Sequence, residues 1–585
     1  MRLPASSFLP VLLASLLSAQ EKPEVRSDPK SESKPDFPTF EEVSKDFEKV
    51  VSTAEGTSLY GLWQRKKDGQ MLAELPAGFA NQKQFFAMTI PTGEEFAGLQ
   101  IGEYYVYWKR FDKRLAMIAP NLDVRSSGDQ ESKDSIQNHF TDRVIVDVPI
   151  VCMGPNGQPV IDLDDLLVGN LSAFYGEGRV NKGLATIKKA KAFPQNIEVA
   201  FEVPTQGGAL QTFHYSISEV QSHASYKPRK ADGRVGYFTV SLRDLGKFKD
   251  DEVWQRNITR WNIEKADPSL KLSPPKEPIV FYLEHTVPVR YRRFVRDGVL
   301  AWNKAFEKIG ITDAIVVQYQ DKATGAHMEK DPEDVRYNFI RWLSNDIGTA
   351  IGPSRAHPET GEILDADVVL TDGWIRHFWH QANEFQPQTA MEGMSNETLR
   401  WLDQYPDWDP RVRLAGPEER DQRILESQRR ALLGQVAYNA AFGDGSILSN
   451  PGVLALAQRL PLAANLCMAS EAKAQSMALA GLTLEVFGLF DAKPEGSSGD
   501  SIDGIPEWFL GPVLSELVSH EVGHTLGLRH NFKSSSIYTL EQINSPEVKG
   551  KKPFAGSVMD YLPINVVLRE GRAPGRRRHD RHRSL

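Results

Sequence analysis

Residues 519–532 read Ser519-His520-Glu521-Val522-Gly523-His524-Thr525-Leu526-Gly527-Leu528-Arg529-His530-Asn531-Phe532. Five of them, His520, Glu521, His524, Gly527 and His530, spell H-E-x-x-H-x-x-G-x-x-H. Four residues of helix advance about 400°, so His520 and His524 fall one turn apart on one face. Two imidazoles so placed can bind one Zn²⁺ ion, with nitrogens about 2.0–2.1 Å from it. Glu521 lies beside the first ligand, within reach of a water that the metal activates, where a carboxylate acts as general base. Gly527 can take a positive φ and end the helix, so the chain turns back and brings His530 in as third ligand. The fourth position is left for water, as a catalytic zinc requires.

Downstream, residues 557–561 read Ser-Val-Met-Asp-Tyr. The long histidine motif followed by a methionine turn resembles the metzincin metalloproteases. The resemblance implies one catalytic Zn²⁺, His520, His524 and His530 as ligands, and Glu521 as catalyst. It also implies Met559 as the apolar floor of the methionine turn. Tyr561 matches a position where some metzincin families carry a tyrosine near the metal. It is expected to donate to the oxyanion formed during peptide hydrolysis.

The resemblance extends from about residue 75 to 565. Over that length the chain is similar to a group of large secreted bacterial zinc-dependent proteases of matrixin-like type, in which a β-rich domain of unknown function precedes the catalytic domain. The phrases R-Y-N-F-I-R-W (336–342), G-P-S-R-A-H-P-E-T-G-E-I-L-D-A-D-V-V (352–369) and S-V-M-D-Y-L-P (557–563) carry it, together with the histidine stretch. Asn531 follows the third histidine where better-known metzincins more often have Ser, Asp, Glu or Pro, which points to a separate branch. Members of this group usually continue for hundreds of residues beyond the methionine turn. Here 24 residues follow Tyr561, so 566–585 is expected to be a basic, disordered and truncated tail.

The chain has 585 residues and a net charge of −8. The stretch 569–585 holds seven Arg against Glu570 and Asp580, so the rest carries −13. An acidic body disfavours nucleic acid as a partner, and a protein or peptide substrate is what the metzincin resemblance implies. Residues 1–20 have a positive start at Arg2, a short apolar core and small residues Ser18 and Ala19 at the end. This is the pattern of a cleaved signal peptide, and the apolar run is too brief to span a bilayer. The expectation is export to the periplasm or outside the cell, without stable membrane insertion. Cys152 and Cys467 are the two cysteines. One disulfide or two buried free thiols fit equally well.

Residues 21–39 are charged and rich in Pro and Ser, a disordered linker. Residues 40–51 show helical spacing. The span 40–275 otherwise reads as an antiparallel β-rich domain, with strands at 84–90, 104–108, 114–119, 143–151, 196–203 and 234–242. It could be a pro-domain or a substrate-binding module. From 276 to 565 the order changes to strand 279–283, amphipathic helix 291–309, and strands 314–318, 338–343 and 363–370. The fold class expected is α+β, a twisted mixed sheet with an active-site helix at 511–526. On the resemblance, 364–370 is the antiparallel edge strand above the site, and Leu364, Ala366 and Val368 would bind an extended peptide by strand addition. A helical insertion spans 371–510. In it Trp374, His377, Trp379 and His380 cluster, but the H-x-x-H pair lacks a third ligand. The function expected is a secreted zinc metalloendopeptidase. The alternatives are a zinc-stabilised scaffold with an inactive site, and a zinc hydrolase of other amides.

Overall fold

The computed structural model describes residues 36–565 apart from 94–96, 177–179, 206, 345–349, 381–393, 414, 416–418, 434–466, 487–499 and 550. The expected signal peptide, nearly all of the linker, the basic tail and much of the insertion therefore lie outside the described residues.

Two large apolar clusters organise the chain. The first draws its side chains from residues 59–217 and the second from 279–526. The first is β-rich, as expected. Its main sheet has seven antiparallel strands, with Leu210–Glu219, Gln84–Thr89 and Gln100–Phe111 at its centre. Leu210–Glu219 shows why: its residues alternate between exposed or half-buried and buried along most of the strand, as a pleat with one face on a core requires. The helical spacing after Phe40 gives only a short helix, Phe40–Val43. Asp46 turns the chain at φ 71°, and Phe47–Lys49 pairs as a strand with Gly61–Arg65.

The second cluster is built on a five-stranded mixed sheet. Its order is Ile315–Tyr319, Ile279–Leu283, Asn338–Leu343, Val368–Thr371 and Ala350–Ile351. The first four are parallel and the last is antiparallel. Helix Val289–Leu300 connects the first parallel pair in sequence, in the usual strand-helix-strand manner. The expected helix over 291–309 is divided at Ala301 and Trp302, with Asn303–Lys308 continuing beyond. Trp302 turns inward there, and its indole N–H donates to Ser519 O at 2.8 Å.

One expectation is corrected. The stretch 363–370 is two strands rather than one, and neither is the antiparallel edge of this sheet. Ile363–Ala366, which holds Leu364 and Ala366, pairs with Ser354–Ala356 in a separate hairpin. Val368 belongs to an interior strand parallel to Asn338–Leu343. The division falls where side chains replace ladder bonds. Asp367 Oδ1 accepts the Phe339 N–H at 2.7 Å, and Asn338 Oδ1 accepts the Ala366 N–H at 3.1 Å. The antiparallel edge is Ala350–Ile351, so Leu364, Ala366 and Val368 do not occupy the position argued for them.

The site helix, Glu507–Thr525, crosses this sheet. Thirteen of its residues are buried, from Phe509 to Thr525, on more than one face. A helix apolar nearly all round is a core helix, and its position is fixed by packing on every side. Its longest contact is with Val289–Leu300, where Ser515 Oγ also donates to Phe294 O at 2.9 Å. Among the described residues, no helix is long and apolar enough to cross a membrane.

Candidate metal centre

His520 and His524 emerge from the last turn and a half of the site helix, and both are buried. Their rings are aimed by backbone carbonyls. His520 Nδ1 lies 2.7 Å from Val558 O, and His524 Nδ1 lies 2.8 Å from Leu528 O. A carbonyl only accepts, so each Nδ1 carries the proton and each Nε2 keeps its lone pair for a metal. The helix ends at Leu526, and Gly527 takes φ 91°. A side chain there would begin 2.2 Å from Thr259 O, so both conformation and space demand glycine. The reversal brings His530 Nε2 to 3.2 Å from His524 Nε2.

The methionine turn closes the floor. Met559 is buried, and its sulfur would lie 2.3 Å from any Cβ at Gly523, directly against the helix. Asn531 N–H donates to Met559 O at 2.8 Å, tying the loop after the third histidine to the turn. Asp560 Oδ2 accepts from Ser534 Oγ and Ser535 N–H, both at 3.0 Å. Tyr561 stands edge-on to His530 at 4.7 Å between ring centres.

Charge favours metal binding. Burial lowers the imidazoles of His520 and His524 to about 3 and about 4, and lowers that of His530 as well. Neutral imidazoles are the form that binds metal. Glu521 is fully buried, and burial pushes its carboxyl up to about 8. Cys467 and the Gly352 backbone act in the lowering direction, yet among the described residues neither carboxylate oxygen has a hydrogen-bond partner. Such a group is costly to keep in place unless something absent from the folded chain uses it.

A fourth group joins these residues that sequence reasoning did not find. Cys467 Sγ lies 3.3 Å from His520 Nε2 and 3.4 Å from His530 Nε2. The ligand atoms of Cys467, His520, His524 and His530 all fall within 4.8 Å of one another. Nitrogens about 2.0–2.1 Å from a tetrahedral zinc are separated by edges of about 3.3–3.4 Å, so the donor set fits that ion. No motif marks Cys467, which comes 53 residues before His520. Both cysteines are free and buried, which leaves no disulfide between them. Cys152 sits with Trp63, Leu72 and Val160 in the β-rich part.

The side chains of Trp379 and His380 lie outside the described residues, so the H-x-x-H pair is not described. Among the described residues the cluster of Cys467 with the three histidines is the single group of three or more potential ligands. Trp374 is buried in the core beneath helix Gly373–His380. His214 and His223 instead pair with Glu198 and Glu362.

The edge strand and the upstream module frame the site. A Cβ at Gly352, just after Ala350–Ile351, would lie 2.2 Å from Glu521 O, so the edge strand runs against the helical turn that carries Glu521. From the other side Phe238 N–H donates to Gly527 O at 2.8 Å, Arg529 N–H donates to Gly236 O at 3.0 Å, and Trp261 Nε1 donates to Thr525 O at 2.8 Å. The Phe238 ring lies 5.8 Å from that of His524. An open groove of about 980 Å³ continues from here, lined by Tyr237, Trp254, Arg256 and Arg529 among others.

Residues 503–576 match a family model described as Met-zincin, which supports a metzincin-like domain, a kind that implies zinc binding. Residues 98–266 match a domain of unknown function, DUF5117. No curated protein and no solved structure matches the chain.

Proposed function

We propose that the chain is a secreted zinc-dependent metalloendopeptidase, with His520, His524 and His530 as ligands and Glu521 as general base. The observation that carries this reading is the buried, unpartnered Glu521 carboxylate beside three neutral imidazoles whose Nε2 lone pairs converge. Zinc bound there would polarise the scissile carbonyl and acidify water.

The chain's own residues supply the rest. Glu521 takes a proton from the attacking water and returns it to the leaving amine, and its lack of competing partners keeps both oxygens available. The Val558 and Leu528 carbonyls hold His520 and His524 in the metal-binding tautomer. An extended peptide would add to the outer side of Ala350–Ile351, which pairs with no further strand among the described residues. Tyr561 supplies a hydroxyl for the oxyanion. Secretion rests on the signal-like residues 1–20.

The test is cleavage of a protein and peptide panel by the full chain beside Glu521→Gln. We expect kcat to fall by about 10²–10⁴ in the variant with zinc content unchanged, the range general acid-base catalysis supplies. A second reading, a zinc-stabilised scaffold, is favoured by Cys467, since four protein ligands are typical of structural zinc. Zinc retention without any Glu521-dependent cleavage would establish that reading instead.

A further inference from the structure

The methionine turn and the site helix do not stand alone around the three histidines. Helix Ala469–Val486 of the insertion packs onto the same core through Ala469, Ala474, Met477, Ala478 and Ala480. Its first turns are clamped to both sides of the metal site. Lys473 Nζ donates to Leu562 O at 2.7 Å and pairs with Glu516 of the site helix at 2.8 Å. Ser476 Oγ accepts the Ile564 N–H at 2.7 Å. The Met468 N–H donates to Tyr561 Oη at 2.9 Å, tying the start of this helix to the tyrosine assigned to the oxyanion. Cys467, immediately before, is 5% exposed and turned to the histidines. The position of its sulfur is thus set by a helix with its own core contacts.

We propose that Cys467 is the fourth protein ligand of this metal, and that the insertion thereby closes the site into a latent form. Two independent observations support it. The sulfur makes short contacts to two of the three ligand nitrogens, at tetrahedral-edge distances. The position that metal-dependent hydrolysis must leave open is therefore filled from within the chain. The unpartnered Glu521 carboxylate, fully buried beside a complete ligand set, separates latency from a structural site. Four protein ligands satisfy a structural zinc outright, and such a site gains nothing from an orphaned carboxylate. Ligation by Cys467 stands on geometry alone, and latency rests on the peptidase reading above.

The experiment uses the full-length chain loaded with Co²⁺ in place of zinc. A cobalt–thiolate bond gives an intense near-ultraviolet charge-transfer band that nitrogen and oxygen ligands do not. We expect that band in the wild type and in Cys152→Ser, and its loss in Cys467→Ser with cobalt still bound. With zinc, Cys467→Ser should cleave peptides about tenfold faster or more, as for a competent state populated at about a tenth or less in the wild type. That gain should vanish in the Cys467→Ser, Glu521→Gln double variant. Absence of the band in the cobalt-loaded wild type overturns ligation by Cys467 and leaves the peptidase reading intact. A Cys467-dependent band with wild type and Cys467→Ser equally active overturns latency. The same band with a metal-replete, folded Cys467→Ser inert on every peptide supports ligation and overturns the peptidase reading. Should Cys467→Ser fail to fold, the wild-type and Cys152→Ser spectra decide ligation. Wild-type activity before and after alkylation of Cys467 then decides latency, a gain supporting it and no gain overturning it.

Discussion

Gly527 shows how much of this site depends on one backbone angle. Its φ of 91° reverses the chain toward His530, and Thr259 O fills the space where a side chain would start. Gly527→Ala should therefore lose about 1–3 kcal/mol of stability, from strain and overpacking together. It should also weaken metal binding, since His530 moves while His520 and His524 stay on the helix. Thermal unfolding and chelator competition measure the two effects separately, and equal zinc affinity in variant and wild type would contradict the role given to the turn. At this scale the sequence was readable where chemistry and local geometry coincide. A helical repeat of four joins His520 to His524, and a glycine stop sets His530. Cys467 was not readable, because its place comes from a helix docked through tertiary contacts, and sequence spacing carries no trace of that docking.

At the scale of elements, the strands at 114–119, 279–283 and 338–343 follow from apolar runs bounded by turn residues. The edge did not. Residues 363–370 look like one strand, because alternation in the sequence does not reveal that Asp367 and Asn338 break the ladder with their side chains. The true edge, Ala350–Ile351, is too short for any periodicity to mark it. Its role follows from Gly352, whose missing side chain lets the strand end lie on the Glu521 backbone. Gly352→Ala should push strand and helix apart, lowering kcat/KM for peptides about tenfold or more, as misplacement by about 1 Å can do. Zinc content should persist, because the ligands are held by other contacts. Steady-state kinetics with metal analysis checks this, and loss of zinc in step with activity would locate the defect in the site itself.

Across the whole molecule, the two apolar clusters are joined by charge. Glu333 lies between Lys189 and Lys191, with Lys191 Nζ 2.8 Å from it, and Asp331 also pairs with Lys191 at 2.7 Å. Burial alone would raise the Glu333 carboxyl, but the two lysines outweigh it and hold it at about 2. A carboxyl held lower in the folded than in the unfolded state stabilises above its ordinary value and loses that contribution as pH falls through its folded one. Stability should therefore decline from about pH 4.5 toward pH 2, and Glu333→Gln should flatten that limb. At neutral pH the variant should cost about 1.5–3 kcal/mol, toward the lower end because both lysines are about a third exposed. Denaturant titrations at several pH values measure both, and an unchanged acid limb in the variant would remove Glu333 as its source.

The contacts of Gly236, Phe238 and Trp261 with the end of the site helix bear on the order of assembly. Translation delivers residues 236–261 well before 524–530, at about 5–20 residues per second. The surface that receives the reversing loop is thus already made when the third histidine emerges. A nascent chain stalled short of His530 should therefore expose that receiving surface beside a cleft with two of its three histidines.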